Sequence, residues 1–364
     1  MKLTSHLLAA SVVAALAAGQ GVVADGSIVS GSIVSGQLAG VAATSGRSAW
    51  AVGSSGTGVA ARTLILRWNG TRWTRMRSPS PGAGDGLDAV AATSPGNAWA
   101  VGATGPGETL IEHWNGRTWT RTPSPSSGRG GGLDGVAANS ASNAWAVGAT
   151  GRGKTLIEHW NGRAWKKVPS PSPGTASALT AVAVTSAANA WAVGYTGTGG
   201  PGHTLILHWN GRAWATVPSP SPAVGSFLCD VSATSRNSAW AVGYNVLPRS
   251  NDTKSLVLRW DGKHWRQAAS PSPGTTAGLF GVTTVSADNA WAVGASDSNG
   301  RSTPLILHWN GRRWSWAAGP SLAGSNVLRD VVVAAGKAWA VGSQNSGSVL
   351  IARWNGTSWA LTPG

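Results

Sequence analysis

The phrase LIEHWNGRTW at residues 110–119 returns as LIEHWNGRAW at residues 156–165. Five related copies are LILRWNGTRW (64–73), LILHWNGRAW (205–214), LVLRWDGKHW (256–265), LILHWNGRRW (305–314) and LIARWNGTSW (350–359). The units that contain these phrases begin 46 to 51 residues apart. A period of this length predicts one array of similar structural units rather than two or three unrelated domains.

One unit read in full predicts four β-strands. Residues 87–132 contain four short apolar runs, LDAVAAT, AWAVG, TLIEHW and RTWTRT, and turn-forming residues separate them. The Asn-Gly pair between the last two runs predicts a type I′ hairpin turn, because both residues tolerate a positive φ. One unit has Asp261-Gly262 instead, which the same turn accepts. Each unit is therefore expected to form a small antiparallel sheet.

Seven such units predict an all-β fold, a single seven-bladed β-propeller with four antiparallel strands per blade. An open solenoid is the alternative, but solenoids usually need atypical polar end units, whereas the first and last units here are ordinary copies. The predicted blades span about 38–86, 87–132, 133–178, 179–227, 228–278, 279–327 and 328–364.

The tryptophan of each AWAVG run is expected to fill the wedge between neighbouring blades. A set of sugar-stacking platforms is the competing interpretation of these residues. They are Trp50, Trp99, Trp145, Trp191, Trp240, Trp291 and Trp339.

Two motifs of every unit, AWAVG and the turn NG-x-x-W or DG-x-x-W, resemble those of the Trp-rich Asp-box (BNR-like) β-propellers. The Gly- and Trp-rich composition is also similar to that of kelch-like propellers. The resemblance covers residues 38–364, and it implies a propeller. Because such propellers include sialidases, oxidases, lectins and scaffolds, it implies no single function. The Asp of the box is replaced by Trp68, Trp114, Trp160, Trp209, Trp260, Trp309 and Trp354.

The N-terminus has the features of a secretory signal peptide. Lys2 precedes an apolar stretch that is too short to span a bilayer, and small residues follow it. We expect cleavage after Ala24 or, alternatively, after Ala17. This gives a signal peptide at 1–24 and a Gly/Ser-rich linker at 25–37, with a retained anchor as the competing interpretation. The mature chain is therefore expected to be secreted, without a membrane span.

Strand parity indicates where a ligand would bind. The loops between second and third strands leave a propeller on the same face as the connectors between blades, here called the variable-loop face. These loops differ between units, and variable loops on a rigid scaffold often carry binding residues. Neutral drift is the alternative, and Asp297 to Gly300 is expected to form an Asx turn rather than a calcium loop. The predicted ligand-binding rim comprises Tyr195, His203, Tyr244, Arg249, Asp252, Lys254, Asp297, Asn299 and Arg301.

The residue after the leading Leu of each unit differs from copy to copy. It is Ala39, Asp88, Asp134, Thr180, Cys229, Phe280 and Arg329 in chain order. Innermost strands surround the channel of a propeller, so a channel-mouth cluster is predicted, consisting of Asp88, Asp134, Asp230, Arg329 and Asp330. Neighbouring carboxylates can hold a cation or perform acid–base chemistry, whereas salt bridges and solvated caps are the alternative. The lone Cys229 is expected to be a buried apolar residue rather than a reactive thiol.

No enzyme signature is recognised in the sequence. Glycoside cleavage generally needs two carboxyl groups at one bond, but Glu112 and Glu158 recur at one strand position, which indicates packing. The residue before the second Trp of the unit is Arg or His throughout, which indicates a basic ladder rather than metal ligands. We therefore expect no catalytic residue, no metal and no cofactor.

The formal net charge is +15. Much of the charge follows the turn Gly of the repeated phrase, where a ring of cations is predicted at Arg117, Arg163, Arg212, Lys263 and Arg312. By parity this ring lies opposite the variable-loop face; it is expected to attract polyanions or, alternatively, to serve solubility. The sequence thus predicts a monomeric, non-catalytic binding module for carbohydrate or anionic cell-envelope polymer, without specific nucleic-acid binding. A protein-interaction scaffold and, less favoured, a glycoside hydrolase or lyase are the alternatives.

Overall fold

The computed structural model describes residues 35–362, apart from 126–127, 198–201, 249, 251 and 346. The predicted signal peptide and most of the predicted linker lie outside the described residues. The described part forms seven four-stranded antiparallel sheets in which strand order in space follows strand order in sequence. The prediction of an all-β, seven-bladed propeller is therefore confirmed. No helix in this described part is long and apolar enough to cross a membrane.

The strands of the first four blades follow one another along the chain. Blade 1 contains β1 (Gln37–Ser45), β2 (Ser48–Ser55), a 3-10 turn (Gly58–Ala60), β3 (Arg62–Trp68) and β4 (Trp73–Met76). Blade 2 contains β5 (Gly86–Ser94), β6 (Asn97–Ala103), β7 (Thr109–Trp114) and β8 (Trp119–Arg121). Blade 3 contains β9 (Gly132–Ser140), β10 (Asn143–Ala149), β11 (Thr155–Trp160) and β12 (Trp165–Lys167). Blade 4 contains β13 (Ser177–Ser186), β14 (Asn189–Thr196), β15 (His203–Trp209) and β16 (Trp214–Thr216).

The last three blades repeat this plan. Blade 5 contains β17 (Gly225–Ser235), β18 (Ser238–Val246), β19 (Thr253–Trp260) and β20 (Trp265–Gln267). Blade 6 contains β21 (Thr276–Ser286), β22 (Asn289–Ser298), β23 (Arg301–Trp309) and β24 (Trp314–Trp316). Blade 7 contains β25 (Asn326–Ala334), β26 (Lys337–Gln344), β27 (Val349–Trp354) and β28 (Trp359–Leu361).

Tryptophans fill the wedges between neighbouring blades. Trp99 on β6 contacts two tryptophans of blade 3, with ring centroids 4.7 Å from Trp160 and 5.1 Å from Trp165. The contact with Trp165 is edge-to-face at 88°, an arrangement that aromatic rings favour. The tryptophans of all seven AWAVG runs are buried, with 0 to 6% of their surface exposed. The prediction that they form the core is confirmed.

The predicted basic ladder lies between these tryptophan rings. His113 stacks on Trp99 with centroids 4.1 Å apart, and its Nε2 lies 2.8 Å from Oδ1 of Asn97. Where the ladder residue is Arg67, its guanidinium lies over Trp50 instead, 5.2 Å from the centroid. The four blades with His have Asn at the start of the second strand, and the three with Arg have Ser or Lys there. The ladder thus has a packing role.

The repeated Asn-Gly turn differs from its prediction. Trp114 pairs with Trp119, so the loop between β7 and β8 has four residues rather than two. Gly116 has φ 92°, but no Asn of these turns has a positive φ among the described residues, so the type I′ prediction was wrong. Oδ1 of Asn115 instead accepts hydrogen bonds from the backbone N–H groups of Arg117 (2.9 Å) and Thr118 (3.0 Å). The Asn side chain therefore holds the loop as an Asx turn.

The first strand of every blade contains a β-bulge immediately after its leading Leu. In blade 2 the pairing jumps from Leu87 to Ala89, which leaves Asp88 as the extra residue. A bulge redirects the side chain of its extra residue. The seven extra residues form what we call the bulge ring: Ala39, Asp88, Asp134, Thr180, Cys229, Phe280 and Arg329.

Side-chain contacts join blade 7 to blade 1. Each sheet consists of four consecutive strands, and the start of the described chain adds an isolated antiparallel bridge between Ser35 and Ser348. The N–H of Gly36 also donates to the carbonyl of Gly347 at 2.8 Å. Oδ2 of Asp330 accepts a hydrogen bond of 2.8 Å from the backbone N–H of Val41. The guanidinium of Arg353 lies over Trp68 of blade 1, 5.0 Å from the ring centroid. The contact between the last and first blades therefore uses the same tryptophan and cation packing as the other interfaces.

Candidate functional site

The bulge ring surrounds a cavity of about 660 Å³ on the channel axis. All seven bulge residues line it, and they lie near the start of the innermost strands, at the end of the channel nearer the variable-loop face. The chain contains only two tyrosines and two phenylalanines. All four line this one cavity: Tyr195, Phe227, Tyr244 and Phe280.

The four rings form an aromatic wall contributed by blades 4, 5 and 6. Phe227 stacks on Tyr244 with centroids 5.3 Å apart and an interplanar angle of 25°. Tyr195 approaches Phe227 edge-on at 5.2 Å, and Phe280 packs in the same cluster as Tyr244. Burial raises the pKa of Tyr195 to about 12, so its hydroxyl stays protonated at neutral pH.

Tyr244 does not occupy the exposed position that the rim prediction gave it. Only 2% of its surface is exposed, because it lies between Phe227 and the cluster that contains Phe280. Its hydroxyl makes no hydrogen bond within the described residues, although its side chain lines the cavity. Burial raises its pKa above the ordinary value. Tyr244 is thus a wall residue of the channel rather than a rim residue.

Two of the predicted channel-mouth carboxylates hold neighbouring blades together. Oδ1 of Asp230 accepts from the N–H of Val231 and Oδ2 from that of Val282 in blade 6, both at 2.7 Å. In the same way, Oδ1 of Asp330 accepts from the N–H of Val331 at 2.7 Å, and Oδ2 accepts from the N–H of Val41 in blade 1. Burial raises the pKa of Asp330 to about 6, and these N–H groups oppose the shift. We call this pair the bridging aspartates.

The other two channel-mouth carboxylates, Asp88 and Asp134, have no hydrogen-bond partner among the described residues. Asp88 is exposed to the channel and Asp134 is half-buried. Burial inside the ring raises the pKa of both to about 7; for Asp88, Asp134 adds to the shift and Arg329 opposes it. These two carboxyl groups are available to a ligand.

Among the described residues that line the cavity, Arg329 is the only basic one. Its guanidinium lies over the ring of Phe280, 5.4 Å from the centroid. Burial lowers its pKa, whereas the neighbouring Cys229 and Asp88 favour its charged form. Burial also raises the pKa of the Cys229 thiol to about 12, so this cysteine is not a thiolate nucleophile at neutral pH.

The remaining rim residues lie outside this cavity. Nζ of Lys254 donates to the carbonyl of Gly274 at 2.8 Å, and Nη2 of Arg301 donates to that of Leu322 at 2.6 Å, so both tie a loop to the next connector. Oδ1 of Asp297 accepts from the N–H of Gly300, three residues on, at 3.0 Å, and Ser298 pairs with Arg301, so this segment is a two-residue hairpin turn that the Asp297 carboxylate supports. In this turn Asn299 has φ 58°, while elsewhere on the rim His203 is exposed and Asp252 is half-buried. Arg249 lies outside the described residues.

The structure thus brings Tyr195 and Tyr244 together with the bulge ring, but not with the outer rim. The sequence interpretation missed Phe227, and it noted Phe280 without assigning it to a site. One feature of the sequence could have identified both residues: the chain has 22 Trp but only two Tyr and two Phe, and these four residues depart from the repeat.

Glu112 and Glu158 lie between blades and not in the cavity. Both are fully buried, and neither carboxyl group has a hydrogen-bond partner within the described residues. Burial raises the pKa of each to about 8; Asp85 adds to the shift of Glu112 and Lys167 opposes that of Glu158. Equivalent strand positions in other blades hold leucines that pack in the core: Leu66, Leu207, Leu258 and Leu307.

The face opposite the variable loops, here called the hairpin face, is strongly basic. The predicted cation ring lies on it, and all five residues are exposed: Arg117, Arg163, Arg212, Lys263 and Arg312. Among the described residues only Asp261 and Asp288 are acidic in the hairpins of this face. Asp261 is paired with Arg266 at 2.7 Å. The acidic and basic residues are therefore distributed unequally over the molecule.

No known protein-family signature matches the sequence, and no curated protein matches it. Solved structures do match the fold. YCF48 bound to a D1 peptide is 13% identical with TM-score 0.56, over 90% of this chain and 95% of that one. The BP39L lectin from Burkholderia pseudomallei is 12% identical with TM-score 0.56, over 91% and 99%. The GH74 xyloglucanase from Xanthomonas campestris is 16% identical with TM-score 0.59, over 90% of this chain and 54% of that one. At these identities the likeness concerns the propeller fold alone.

Proposed function

We propose that this protein is a monomeric, non-catalytic binding module that takes a carbohydrate in the channel cavity on the variable-loop face. The observation that carries the proposal is where the repeats diverge. Among the seven units only Asp occurs twice at the bulge position, and each of the other five units has a residue type of its own there. Every Tyr and Phe of the chain lines the same cavity. A scaffold that binds no ligand would have no reason to place the residues that depart from the repeat around a single cavity.

The chemistry of the cavity suits a sugar. Aromatic rings offer apolar faces to the C–H groups of a sugar ring, and carboxylates accept hydrogen bonds from its hydroxyl groups. The volume of about 660 Å³ lies within the range of about 300–1,000 Å³ typical of small-molecule sites. The cavity holds four carboxyl groups and one guanidinium, an excess that argues against an anionic polymer as its ligand.

The hairpin face supports a second, separate binding function. Its exposed arginines and lysines have few acidic neighbours, so this face would attract an anionic cell-envelope polymer. We propose it as an attachment surface, distinct from the cavity. Export by the predicted signal peptide and kinship with the Asp-box or kelch-like propellers are part of the same proposal and rest on the sequence motifs.

A protein-interaction scaffold is the runner-up. The matching YCF48 structure contains a D1 peptide, which shows that a related fold can be solved with a peptide partner. A hydrolase or lyase is less favoured, because the bridging aspartates are engaged by backbone N–H groups and so are poorly placed to act as acid or base.

A glycan array tests the proposal. The wild-type protein should bind a defined glycan set, and Tyr195→Ala should weaken that binding because it removes part of the aromatic wall. Arg117→Ala, on the hairpin face, serves as the control and should bind like the wild type. Glycan binding that survives Tyr195→Ala but is lost in Arg117→Ala would move the site to the other face, and peptide binding without glycan binding would favour the scaffold.

A further inference from the structure

The cavity contains two carboxyl groups to which the described part of the protein donates no hydrogen bond. The bridging aspartates each accept two backbone hydrogen bonds, so their carboxyl groups are satisfied. Asp88 and Asp134 have no such bonds in the described part of the chain. Arg329, the only basic residue in the described lining of the cavity, lies near Asp88. Asp134 therefore faces the cavity without a cationic partner of its own.

The opposite wall is suited to a cation. Tyr195, Phe227, Tyr244 and Phe280 present aromatic rings to the cavity. The guanidinium of Arg329 covers the ring of Phe280, so the half-buried rings of Tyr195 and Phe227 are the ones with surface left for a ligand. The hydroxyl of Tyr244 adds an unpartnered acceptor on a side chain that is 2% exposed. Aromatic faces and carboxylates on two sides of one space form an environment that recognises ammonium groups.

We propose that the ligand of this cavity carries a protonated amine, which makes it an amino sugar with a free amino group. The inference rests on the proposed carbohydrate function and specifies the sugar class. A protonated amine supplies N–H donors and a positive charge for Asp134 and Asp88, and the sugar ring that carries it would face the aromatic wall. A hydroxyl or an N-acetyl group in the same position would leave the carboxylate charge without a partner.

A metal ion is a poorer fit to the same residues. Within the described residues there is no group of three or more His, Cys, Asp or Glu side chains that could hold a metal. Calcium takes six to eight oxygen ligands and magnesium requires octahedral coordination, whereas here only two free carboxyl groups face an aromatic wall. An organic cation needs fewer ligand oxygens and uses the rings.

Matched oligosaccharides test the inference. Oligomers of β-1,4-linked glucosamine and of N-acetylglucosamine of equal length differ only in the amino group, and calorimetry at about pH 7, near the pKa of Asp88 and Asp134, would compare their affinities. We expect the free amine to bind tighter by about tenfold or more, as for one well-placed charged contact. Asp134→Asn, combined with Asp88→Asn, should remove this preference while retaining the weaker binding of the N-acetylated oligomer. Glu108→Gln is the control, because Glu108 is an exposed acid on the same face outside the cavity.

The outcomes distinguish failure of the amino-sugar proposal from failure of the carbohydrate-binding proposal. Equal affinity for both oligomers, or a preference that persists in the Asn double variant while it melts like the wild type, overturns the amine assignment but leaves carbohydrate binding in place. Binding only to neutral glycans of another class would likewise overturn the amine assignment and leave carbohydrate binding in place. Failure to bind any glycan overturns both proposals, and so does capture of a lysine-containing peptide without glycan binding.

Discussion

Replacing Glu112 by Leu is expected to stabilise the protein, although it changes a buried residue. The carboxyl group is fully buried without a partner, and its pKa is raised from 4.5 to about 8 by burial and then by Asp85. A group with a raised pKa stabilises the fold below its unfolded value and loses that contribution as pH rises through its folded value. The contribution of Glu112 is therefore present below about pH 4.5 and is lost progressively up to about pH 8.

The magnitude follows from the pKa difference. One pKa unit corresponds to about 1.4 kcal/mol, so keeping Glu112 costs the folded state about 3 kcal/mol at pH 7 relative to acidic solution. Leu is the residue at the equivalent positions of four other blades, including Leu66 and Leu207, so it fits this environment. Glu112→Leu should therefore raise the free energy of unfolding at pH 7 by about 3 kcal/mol and by much less near pH 5.

Urea unfolding of both proteins at about pH 5 and pH 7 measures this difference. The comparison must be between variant and wild type, because His113 and three other half-buried histidines have lowered pKa values, and their contribution to stability is lost as pH falls. Glu112→Gln is the matched control: it should remove the pH-dependent part but gain less stability, since its amide is also unpartnered. A Leu variant that is less stable at pH 7, or equally changed at both pH values, would refute the reasoning.

Three further predictions concern the core, the ring and the hairpin face. Trp145→Ala should lower the free energy of unfolding by about 3–5 kcal/mol, measured by urea unfolding, because it opens a cavity between two blades; an unchanged transition would show that this Trp is not core. Asp330→Ala should cost about 1.5–3 kcal/mol, measured in the same way, because the N–H groups it binds lose a charged acceptor; Asp252→Ala, outside the ring interface, is its control. Binding to heparin should weaken steeply with salt, and a triple Ala variant at Arg117, Arg163 and Arg212 should flatten that dependence; an unchanged salt slope would place the polyanion elsewhere.

The repeat made the fold predictable because every copy states the same pattern of strands and turns. The turn type was not predictable, because the Asn-Gly pair alone does not reveal that Trp114 and Trp119 pair across a four-residue loop. Parity placed Tyr244 on the correct side of the ring, but its burial depends on Phe227 and Phe280, which belong to two different strands.

The bulge position could be found from sequence because it is where the copies disagree. The roles of the carboxyl groups at and beside this position could not be found from the sequence. Asp134 is itself a bulge residue, whereas Asp230 follows the bulge residue of its blade. Asp230 accepts the N–H of Val282 in the next blade, and Asp134 has no partner in the described chain. The offset of one residue is visible in the sequence, but the role that it gives each carboxyl group depends on how adjacent blades approach each other.

The construction of the ring has a consequence for its connectivity. Every sheet is made of consecutive strands, and the contact of Asp330 with Val41 is of the same kind as that of Asp230 with the next blade. No connector is therefore topologically special. A circularly permuted chain, with Leu361 joined to Gln37 by a linker as long as the connector from Thr216 to Gly225, should fold into the same seven sheets with new ends at any natural connector.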